Sequence, residues 1–446
     1  MHAAVAAGAP GTVEVAMAVL AAGGNAVDAA VSAAFAMPVT EPGLASLAGG
    51  GFMMVRDPDG ATRLIDFFAA VPSPHEITSH EVITVEFSGA QQDFSIGPST
   101  VAVPGVLAGL LHAHSAHGRM DRAQMLAPAR ALVRTGAAMT AEQALVLQLI
   151  GPIVTSTPEA AAIYAPGGHL LTEGQVMHNP AYADFIDEIA AGLSALPAEG
   201  PLHAEDLAAY TVYEREPLTV ELPGGTLYTN PPPSLGGSII AHALADLRSQ
   251  VTAVDLLTAL RDATEHNKTL APTSVRGTTH ISVTDGVQTV AMTVSNGSCS
   301  GVMLGNTGVQ LNNMMGESDL HPDGHVAQVG SRIRSMMAPS LVQRDGVVTA
   351  LGSGGSERIR SAMTRVIAGL LRGVPLQEAI DAPRIHLDNS GVVQVEPGFP
   401  VGELVALPES VSHWRHADFY FGGVHAVSSD GQAAADARRG GHTGRL

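Results

Sequence analysis

The sequence predicts a layered α/β protein in which helices flank two sets of strands. Two Ala-rich segments, 12–22 and 26–36, have helical apolar spacing, and Gly23, Gly24 and Asn25 between them can end one helix and cap the next. Two later groups of short alternating segments, joined by Asp-Gly turns, are typical of antiparallel strands. Hydrophobic residues make up 46% of the chain and charged residues 15%, which favours a large compact core. Taken in order, these elements predict layered α/β packing.

The elements of the first half follow from local spacing. Residues 52–57 and 61–67 are predicted strands joined by an Asp-Pro-Asp-Gly turn. Apolar spacing is helical over 120–149 and 182–193, whereas 218–228 alternates like a hairpin. The first half is therefore mixed α and β.

The second half begins with a Pro-rich segment at 230–237, which leads into an apolar helix ending near Leu247. A polar stretch at 262–276 is a predicted exposed linker before a strand-rich region. The strands predicted there are 280–283, 289–294, 340–343 and 347–351. Residues 358–371 have helical spacing. No internal repeat is visible, which excludes solenoids and propellers.

The charge balance excludes several classes of partner. The formal net charge is −19, from 42 acidic and 23 basic residues, so the surface should repel nucleic acids and anionic membranes. The Ala-rich run at 29–39 is too short to span a bilayer and is predicted to be a buried helix. The N-terminal segment lacks the basic and apolar regions of an export signal, so we expect a cytoplasmic protein.

Three alternative chemistries lack the motif that would support them. Cys299, the only cysteine, stands among Ser and Gly without a base nearby in sequence. The loop at 319–325 has four potential metal ligands but no fixed metal-binding spacing. The glycines at 49–51 are not followed by the Lys-Ser/Thr of a phosphate-binding loop. We therefore predict neither a metal nor a cofactor.

A Gly-Thr-Thr-His sequence, starting at Gly277, leads from the polar linker into a predicted strand. On its own it is the ordinary start of a strand rich in β-branched residues. Nine short motifs, of which this is one, follow one another at 23–41 with 49–52, 103–105, 206–210, 231–237, 278–280, 311–315, 337–340, 352–355 and 381–384. In this order they resemble the γ-glutamyltranspeptidase family over nearly the whole chain.

The resemblance implies a four-layer αββα sandwich of the N-terminal-nucleophile hydrolase type. It also implies a precursor that cuts itself between Gly277 and Thr278, giving a large fragment (1–277) and a small fragment (278–446) that remain partners. A Thr hydroxyl has no useful basicity at neutral pH, but a freed α-amine with a pKa near ~8 can act as its base. The cut would therefore create the nucleophile Thr278 and its base together.

The resemblance implies further catalytic positions. Gly355 and Ser356 lie where the family offers two backbone N–H groups to the oxyanion. The family usually has Gly where this chain has Ser356, but any residue other than Pro keeps the N–H. One of Thr293 and Ser295 matches a Thr that supports the nucleophile. Because this region is one residue shorter than the family pattern, the sequence leaves both open.

Substrate contacts are also implied by the resemblance. Asn296 and Glu317 match positions that bind the α-amino acid end of the substrate, and Ser335 matches a Ser that binds its α-carboxylate. Bland alternatives remain open, namely a turn at Asn296 and a surface loop at Glu317.

Three positions depart from the family pattern towards apolar residues. Phe68 stands at the place of the Arg that grips the α-carboxylate, Met336 at that of a second carboxylate-binding Ser, and Met314 replaces a polar residue. If they line the acyl pocket, a substrate with less free carboxylate is expected, because burying an unpaired carboxylate is costly. Arg358, or Arg332 and Arg334 close to the same loop, could supply the missing cation from another direction, although surface or structural pairing is the alternative for each.

The resemblance therefore implies an amide hydrolase or acyltransferase acting on a γ-glutamyl or related small-molecule amide. Two alternatives stay open: an amidase or acylase for a larger, less charged amide, and an unprocessed, non-catalytic binding relative. The second is motivated by the short stretch before Thr278, where the family has a longer helical segment. The sequence leaves homo-oligomerisation open.

Overall fold

The computed structural model describes residues 2–74, 81–87, 90–247, 252–266, 277–316, 328–388, 390–405, 407 and 410–446. Its helices are α1 (Pro10–Ala21), α2 (Ala26–Thr40), α3 (Val106–His117), α4 (Arg122–Thr135), α5 (Ala141–Leu149), α6 (Gly151–Val154), α7 (Pro158–Tyr164), α8 (Pro180–Ala190), α9 (Ala204–Ala209), α10 (Leu235–Asp246), α11 (Ala253–His266), α12 (Arg358–Leu371), α13 (Leu376–Asp381) and α14 (Val401–Val405). Within these ranges, no helix is both long enough and apolar enough to cross a membrane.

The strands are β1 (Ala4–Ala7), β2 (Gly50–Arg56), β3 (Thr62–Phe67), β4 (Glu81–Phe87), β5 (Ala90–Ile96), β6 (Ala137–Ala138), β7 (Val176–Met177), β8 (Tyr213–Arg215), β9 (Leu218–Leu222), β10 (Gly225–Thr229), β11 (Thr278–Thr284), β12 (Thr289–Ser295), β13 (Met303–Leu304), β14 (Val309–Gln310), β15 (Ser340–Arg344), β16 (Val347–Gly354), β17 (Ile385–Leu387), β18 (Val392–Val395), β19 (Ser410–His413), β20 (Gly423–Ser428), β21 (Ala433–Ala434) and β22 (His442–Arg445).

Two antiparallel sheets form the centre of the molecule. The first has seven strands in the order β22-β1-β11-β12-β2-β3-β8, and the second has six in the order β21-β20-β16-β15-β10-β9. Strands β11 and β12 of the first sheet contact β16 of the second. Helices α1 to α3 cover the outer face of the first sheet, with α4 packed on α1 and α2, whereas α10 and α12 cover the second. The layers therefore run α, β, β, α, as the sequence led us to expect.

The period-two alternation of the central strands divides the core. In β11, Ile281 and Val283 pack into a core between the first sheet and its helices. In β1 and β12, Ala4, Ala6 and Ala291 belong to a second core between the sheets, which extends to α12. Small side chains on this inner face let the two sheets approach closely. Both faces of the first sheet are therefore buried.

Two predicted elements differ from the structure. The helical spacing over 120–149 is split into α4 and α5, because Gly136 adopts a φ of 84° and starts the short strand β6. The predicted linker at 262–276 begins inside α11, which continues to His266. Residues 267–276 lie outside the described ranges, and so does the shortened stretch before Gly277.

Candidate active site

Thr278 is the first residue of β11, and the strand register brings neighbouring strand ends beside it. Thr278 pairs with Ser295 at the end of β12, and Ser295 pairs with Gly50 at the start of β2. Phe68 directly follows β3, the next strand in the sheet. Neighbouring strands lie ~4.8 Å apart, so Phe68 stands three strands, or roughly 14 Å, from Thr278. One edge of the sheet thus carries the candidate nucleophile and its surroundings.

The second sheet approaches Thr278 closely because two residues of β16 have no side chain. A Cβ on Gly354 would lie 2.2 Å from the carbonyl oxygen of Thr278. A Cβ on Gly352 would lie 2.3 Å from Nδ1 of His280, two residues along β11. No real Cβ tolerates such contacts, so these two glycines set the spacing between the sheets at the site.

A chain of hydrogen bonds connects the Thr278 hydroxyl to the peptide bond that precedes it. Thr278 Oγ1 donates to Ser295 Oγ at 3.3 Å, and Ser295 Oγ donates to the carbonyl oxygen of Gly277 at 2.5 Å. The backbone N–H of Gly297 donates to Ser295 Oγ at 3.0 Å and helps to orient it. The hydroxyl and the polarised carbonyl of the Gly277–Thr278 peptide bond are therefore adjacent.

The structure places only one of the two candidate supporting hydroxyls beside Thr278. Thr293 Oγ1 contacts Nδ1 of His280 at 2.8 Å, two residues further along the strand pair. Ser295 is the residue opposite Thr278 in the register. The register of β11 and β12 therefore brings Ser295, and not Thr293, beside Thr278.

Gly277 occupies a position that only glycine fits. A Cβ there would lie 2.2 Å from the carbonyl oxygen of Gly297 and 2.5 Å from that of Gly43. Both obstacles are backbone atoms, which cannot move aside as a flexible side chain could. The backbone of the Gly277–Thr278 bond is therefore tightly enclosed.

The predicted oxyanion turn follows β16 directly. Gly355 has a φ of 125° and Ser356 a φ of 52°. The left-handed conformation is costly for Ser356, by about 1–2 kcal/mol, because it has a Cβ. Among the described residues, no acceptor is found for the N–H of Gly355. A strained turn next to Thr278 is consistent with a functional role.

The next residue of β11, Thr279, faces the helical layer and contacts a buried carboxylate. Thr279 Oγ1 donates to Oε2 of Glu41, which caps the end of α2. Thr12 Oγ1 donates to Oε1 of Glu41 at 2.7 Å. Burial raises the pKa of Glu41, against the opposite effect of the hydrogen bonds from Thr279 and Thr12. Glu41 thereby ties the start of β11 to two helices.

Two buried histidines lie on the inner face near the site. Burial lowers the pKa of His280 well below its usual value, and the nearby His425 of β20 lowers it further. Burial also lowers the pKa of His425 to about 4. Both imidazoles are therefore neutral at pH 7.

Arg439 brings a buried cation next to the oxyanion turn. Its guanidinium lies 3.7 Å from the centroid of the Phe419 ring, and its Nε donates to the Phe419 carbonyl at 3.3 Å. The side chain is only 7% exposed, and its Nη1 and Nη2 have no partner among the described residues. Burial lowers the pKa of Arg439 to about 9, so it is protonated at neutral pH.

A small cavity that opens to solvent lies between the helical layer and the second sheet at this edge. Its lining includes Thr278, Glu41, Gly354, His425 and Arg439. The candidate nucleophile, the glycine that precedes the predicted oxyanion turn, and the cation thus border one cavity.

Phe68 faces away from this cavity and is part of the core. It is 2% exposed and stacks on Phe52 at 5.3 Å between ring centroids, with the planes 9° apart. Its carbonyl accepts a hydrogen bond from the Tyr210 hydroxyl at 2.8 Å. The position of the family's carboxylate-binding Arg is therefore filled by apolar packing.

The other predicted substrate contacts that the structure describes, Asn296, Ser335 and Met336, do not line the cavity. Asn296 is fully buried, and its Nδ2 reaches Cys299 Sγ at 3.4 Å. Ser335 is buried, and its hydroxyl accepts the N–H of Met337 at 3.1 Å. Met336 packs on a separate core around α10 and α11. Glu317 and the loop at 319–325 lie outside the described residues.

The three candidate replacement cations differ in their surroundings. Arg332 is buried and bonds Asp66 through Nε at 3.1 Å, with Tyr210 and Tyr213 against its guanidinium. Arg358 lies over the Tyr420 ring at 5.0 Å and donates to the Tyr420 carbonyl. Arg334 is exposed. Arg332 therefore has the structural pairing named as its alternative role.

No local sequence signal marks Glu41 or Arg439 as site residues. Arg439 follows Asp436 and Arg438 near the chain's end, and Asp436 is paired with Arg384 and Arg438. These ion pairs hold the turn that carries Arg439. Only the tertiary fold brings that turn to Thr278.

The four layers and the Thr at the start of a central strand define the N-terminal-nucleophile hydrolase fold. A solved cephalosporin acylase from Bacillus halodurans has this fold in common with the chain, with a TM-score of 0.79, 21% identity, and coverage of 99% of this chain and 95% of that one. The expected αββα sandwich is thereby confirmed. A family model described as gamma-glutamyltranspeptidase matches residues 12–259 and 242–445, and the chain belongs to this family.

Relatives within the family carry two kinds of name. The acylase ACY 1 proenzyme of Pseudomonas sp. (strain V22) is 28% identical over 488 residues, covering 92% of this chain and 87% of the relative. The glutathione hydrolase proenzyme of Escherichia coli (strain K12) is 27% identical, covering 87% of this chain and 83% of the relative. The chain is thus similar to proteins named for both acylase and glutathione hydrolase activity.

Proposed function

We propose that the chain is a precursor that cuts itself between Gly277 and Thr278, and that Thr278 then acts as the N-terminal nucleophile of an amide hydrolase or acyltransferase. One observation carries the proposal. The Thr278 hydroxyl bonds Ser295, and Ser295 donates to the carbonyl oxygen of Gly277. The nucleophile and the electrophile of the cut are therefore arranged before it happens.

In the cut, Thr278 Oγ1 adds to the carbonyl carbon of Gly277, and the Ser295 hydroxyl stabilises the charge on its oxygen. The C–N bond then breaks, and the Thr278 nitrogen takes up the proton that the hydroxyl released. An ester between Gly277 and Thr278 remains. Water hydrolyses the ester, which frees the Gly277 carboxylate and the Thr278 hydroxyl and amine. The precursor supplies every group except the water.

After the cut, the Thr278 amine accepts the hydroxyl proton while Oγ1 attacks the substrate amide. The N–H groups of Gly355 and Ser356 stabilise the oxyanion, and the leaving amine takes the proton from the Thr278 ammonium. Water or another amine then attacks the acyl ester. The first route is hydrolysis and the second is transfer.

The substrate is a γ-glutamyl or related acyl amide. Both kinds of relative support this class. The stacked pair of Phe52 and Phe68 favours the acylase alternative, because the position of a carboxylate clamp is apolar. Rates on γ-glutamyl-4-nitroanilide and on glutaryl and other acyl anilides separate the two; a strong preference for the free amino acid form would contradict the argument from Phe68.

The cut is tested by mass spectrometry of the purified protein. We expect fragments 1–277 and 278–446 from the wild type and an intact chain from Thr278→Ala. Ser295→Ala should slow the cut by about 10²-fold or more, since it removes an oxyanion donor. Thr293→Ala is the matched control, because Thr293 contacts His280 instead. An intact wild-type chain would favour the non-catalytic alternative.

A further inference from the structure

A protonated guanidinium without an anion is unusual inside a protein. Both terminal nitrogens of Arg439 are buried and have no partner among the described residues. Asp436 and Asp418 both act on Arg439 electrostatically, but neither accepts a hydrogen bond from its terminal nitrogens. Asp436 is paired with Arg384 and Arg438, and Asp418 accepts the N–H of Tyr420. Leaving such a charge desolvated is costly, so a compensating ligand would be strongly stabilised.

The guanidinium is adjacent to the candidate chemistry. The point at which a Gly354 Cβ would sit is 3.1 Å from Arg439 Nη1 and 2.2 Å from the carbonyl oxygen of Thr278. The corresponding point at Gly355 is 3.4 Å from Arg439 Nη2. Only the bare backbone of the glycine turn separates the cation from the nucleophile and the oxyanion N–H groups.

The orientation of the guanidinium leaves one edge for a ligand. The Phe419 ring covers its face at 3.7 Å, and Nε is used by the Phe419 carbonyl. Nη1 and Nη2 remain, and Arg439 lines the cavity together with Thr278. Two parallel N–H donors match the two oxygens of a carboxylate.

We propose that Arg439 binds a carboxylate that the substrate carries within a few bonds of its scissile carbonyl. The inference rests on the proposed function of Thr278 and specifies its substrate class. Arg439 thus provides, from the opposite side of Thr278, the charge recognition that Phe68 cannot give.

The same cavity favours a carboxylate over a more highly charged anion. Glu41 and Glu142 also line it. A doubly charged phosphate would meet stronger repulsion from acidic groups than a single carboxylate would. A short dicarboxylic acyl group, or an amine that carries a carboxylate, fits this pattern.

The test compares matched substrates with the purified wild type, Arg439→Gln and the exposed control Arg415→Gln. One arm uses glutaryl-4-nitroanilide against its neutral methyl ester. The other arm compares butyryl-3-aminobenzoate with butyrylanilide. In the first of these two substrates the leaving amine carries the carboxylate. In one of the two arms, either the acyl pair or the amine pair, Arg439→Gln should lower kcat/KM for the charged substrate about 10- to 100-fold. It should leave kcat/KM for the neutral substrate of that pair within about threefold of the wild-type value. Arg415→Gln should behave as wild type.

Equal losses on charged and neutral substrates, or no loss on either, would overturn the inference. Should Arg439→Gln fail to fold, Arg439→Lys keeps the charge without the fork and should show a smaller loss in the same direction. Calorimetry with glutarate is independent of catalysis: the wild type should bind it more tightly than Arg439→Lys. An inactive wild type that binds glutarate in this way refutes the proposed function alone, whereas an active one without charge selectivity refutes only the role of Arg439.

Discussion

The two flanks of Thr278 have opposite chemistry. On the flank towards β3, Phe68 stacks on Phe52 inside the core between the sheets. On the flank towards β1 and β20, Arg439 lines the cavity and has two buried donors without a partner among the described residues. We call these the Phe68 flank and the Arg439 flank. The contrast shows that the two sides of Thr278 differ in burial and charge: one is apolar core, and the other holds a buried cation beside the cavity.

The largest effect is expected at the Gly277–Thr278 peptide bond, which lies between the two flanks and which the proposed self-cleavage breaks. Gly277→Ala should abolish self-cleavage, because the added methyl meets two backbone carbonyls at 2.2 and 2.5 Å. The readout is the intact mass of the purified chain. Gly402→Ala is the control, since nothing lies within 4 Å of the added Cβ there. Normal cleavage of Gly277→Ala would show that the bond is less enclosed than described.

Truncating one aromatic residue on each flank sharpens the comparison. Phe68→Ala should lower the free energy of unfolding by about 3–5 kcal/mol, as for a buried core ring. Phe419 is half-buried, and Phe419→Ala should cost about 1 kcal/mol while weakening the placement of Arg439. Urea unfolding measures the first effect and charge selectivity the second. Equal destabilisation by both variants would contradict the assignment of Phe68 to the core and Phe419 to the site.

The Arg439 flank should also depend on pH through His425. Its pKa falls from 6.5 to about 4 on burial, so between these values the unfolded chain binds a proton that the folded chain does not. The free energy of unfolding should therefore fall as the pH drops through this window, by up to about 3 kcal/mol from His425.

His425→Gln should flatten that part of the profile, measured by urea unfolding at several pH values between 4 and 7. His280 and His386 have lowered pKa values too, so the comparison with wild type isolates His425. An unchanged slope in the variant would mean that His425 titrates normally in the folded protein.

Much of the fold was predictable because local patterns dominate where both faces of an element are buried. Helix α12 has the predicted bounds, and β11 and β12 extend the predicted strands by only one or two residues. The helical spacing over 120–149 corresponds to two helices, α4 and α5, because the conformation of Gly136 outweighs the apolar spacing on either side. Sequence spacing reports side-chain periodicity and gives little warning of a backbone turn.

The candidate site was predictable only where it is local in sequence. Gly277, Thr278 and the turn at Gly355 and Ser356 were named beforehand, and the structure brings them together. Their catalytic roles stay predictions. The choice of Ser295 over Thr293 needed the strand register. Arg439 could not be inferred, because its partners come from distant parts of the chain.

The position of strand β1 in the first sheet determines how the two fragments would stay together after a cut before Thr278. It lies between β11, which begins with Thr278, and β22 at the other end of the same segment. If the chain is cut before Thr278, the N-terminal piece keeps a strand clasped on both edges by the C-terminal piece. Exchange of fragments between cut molecules would require the hydrogen bonds of β1 to β11 and to β22 to break together. Each mature molecule should therefore keep the two fragments with which it was synthesised.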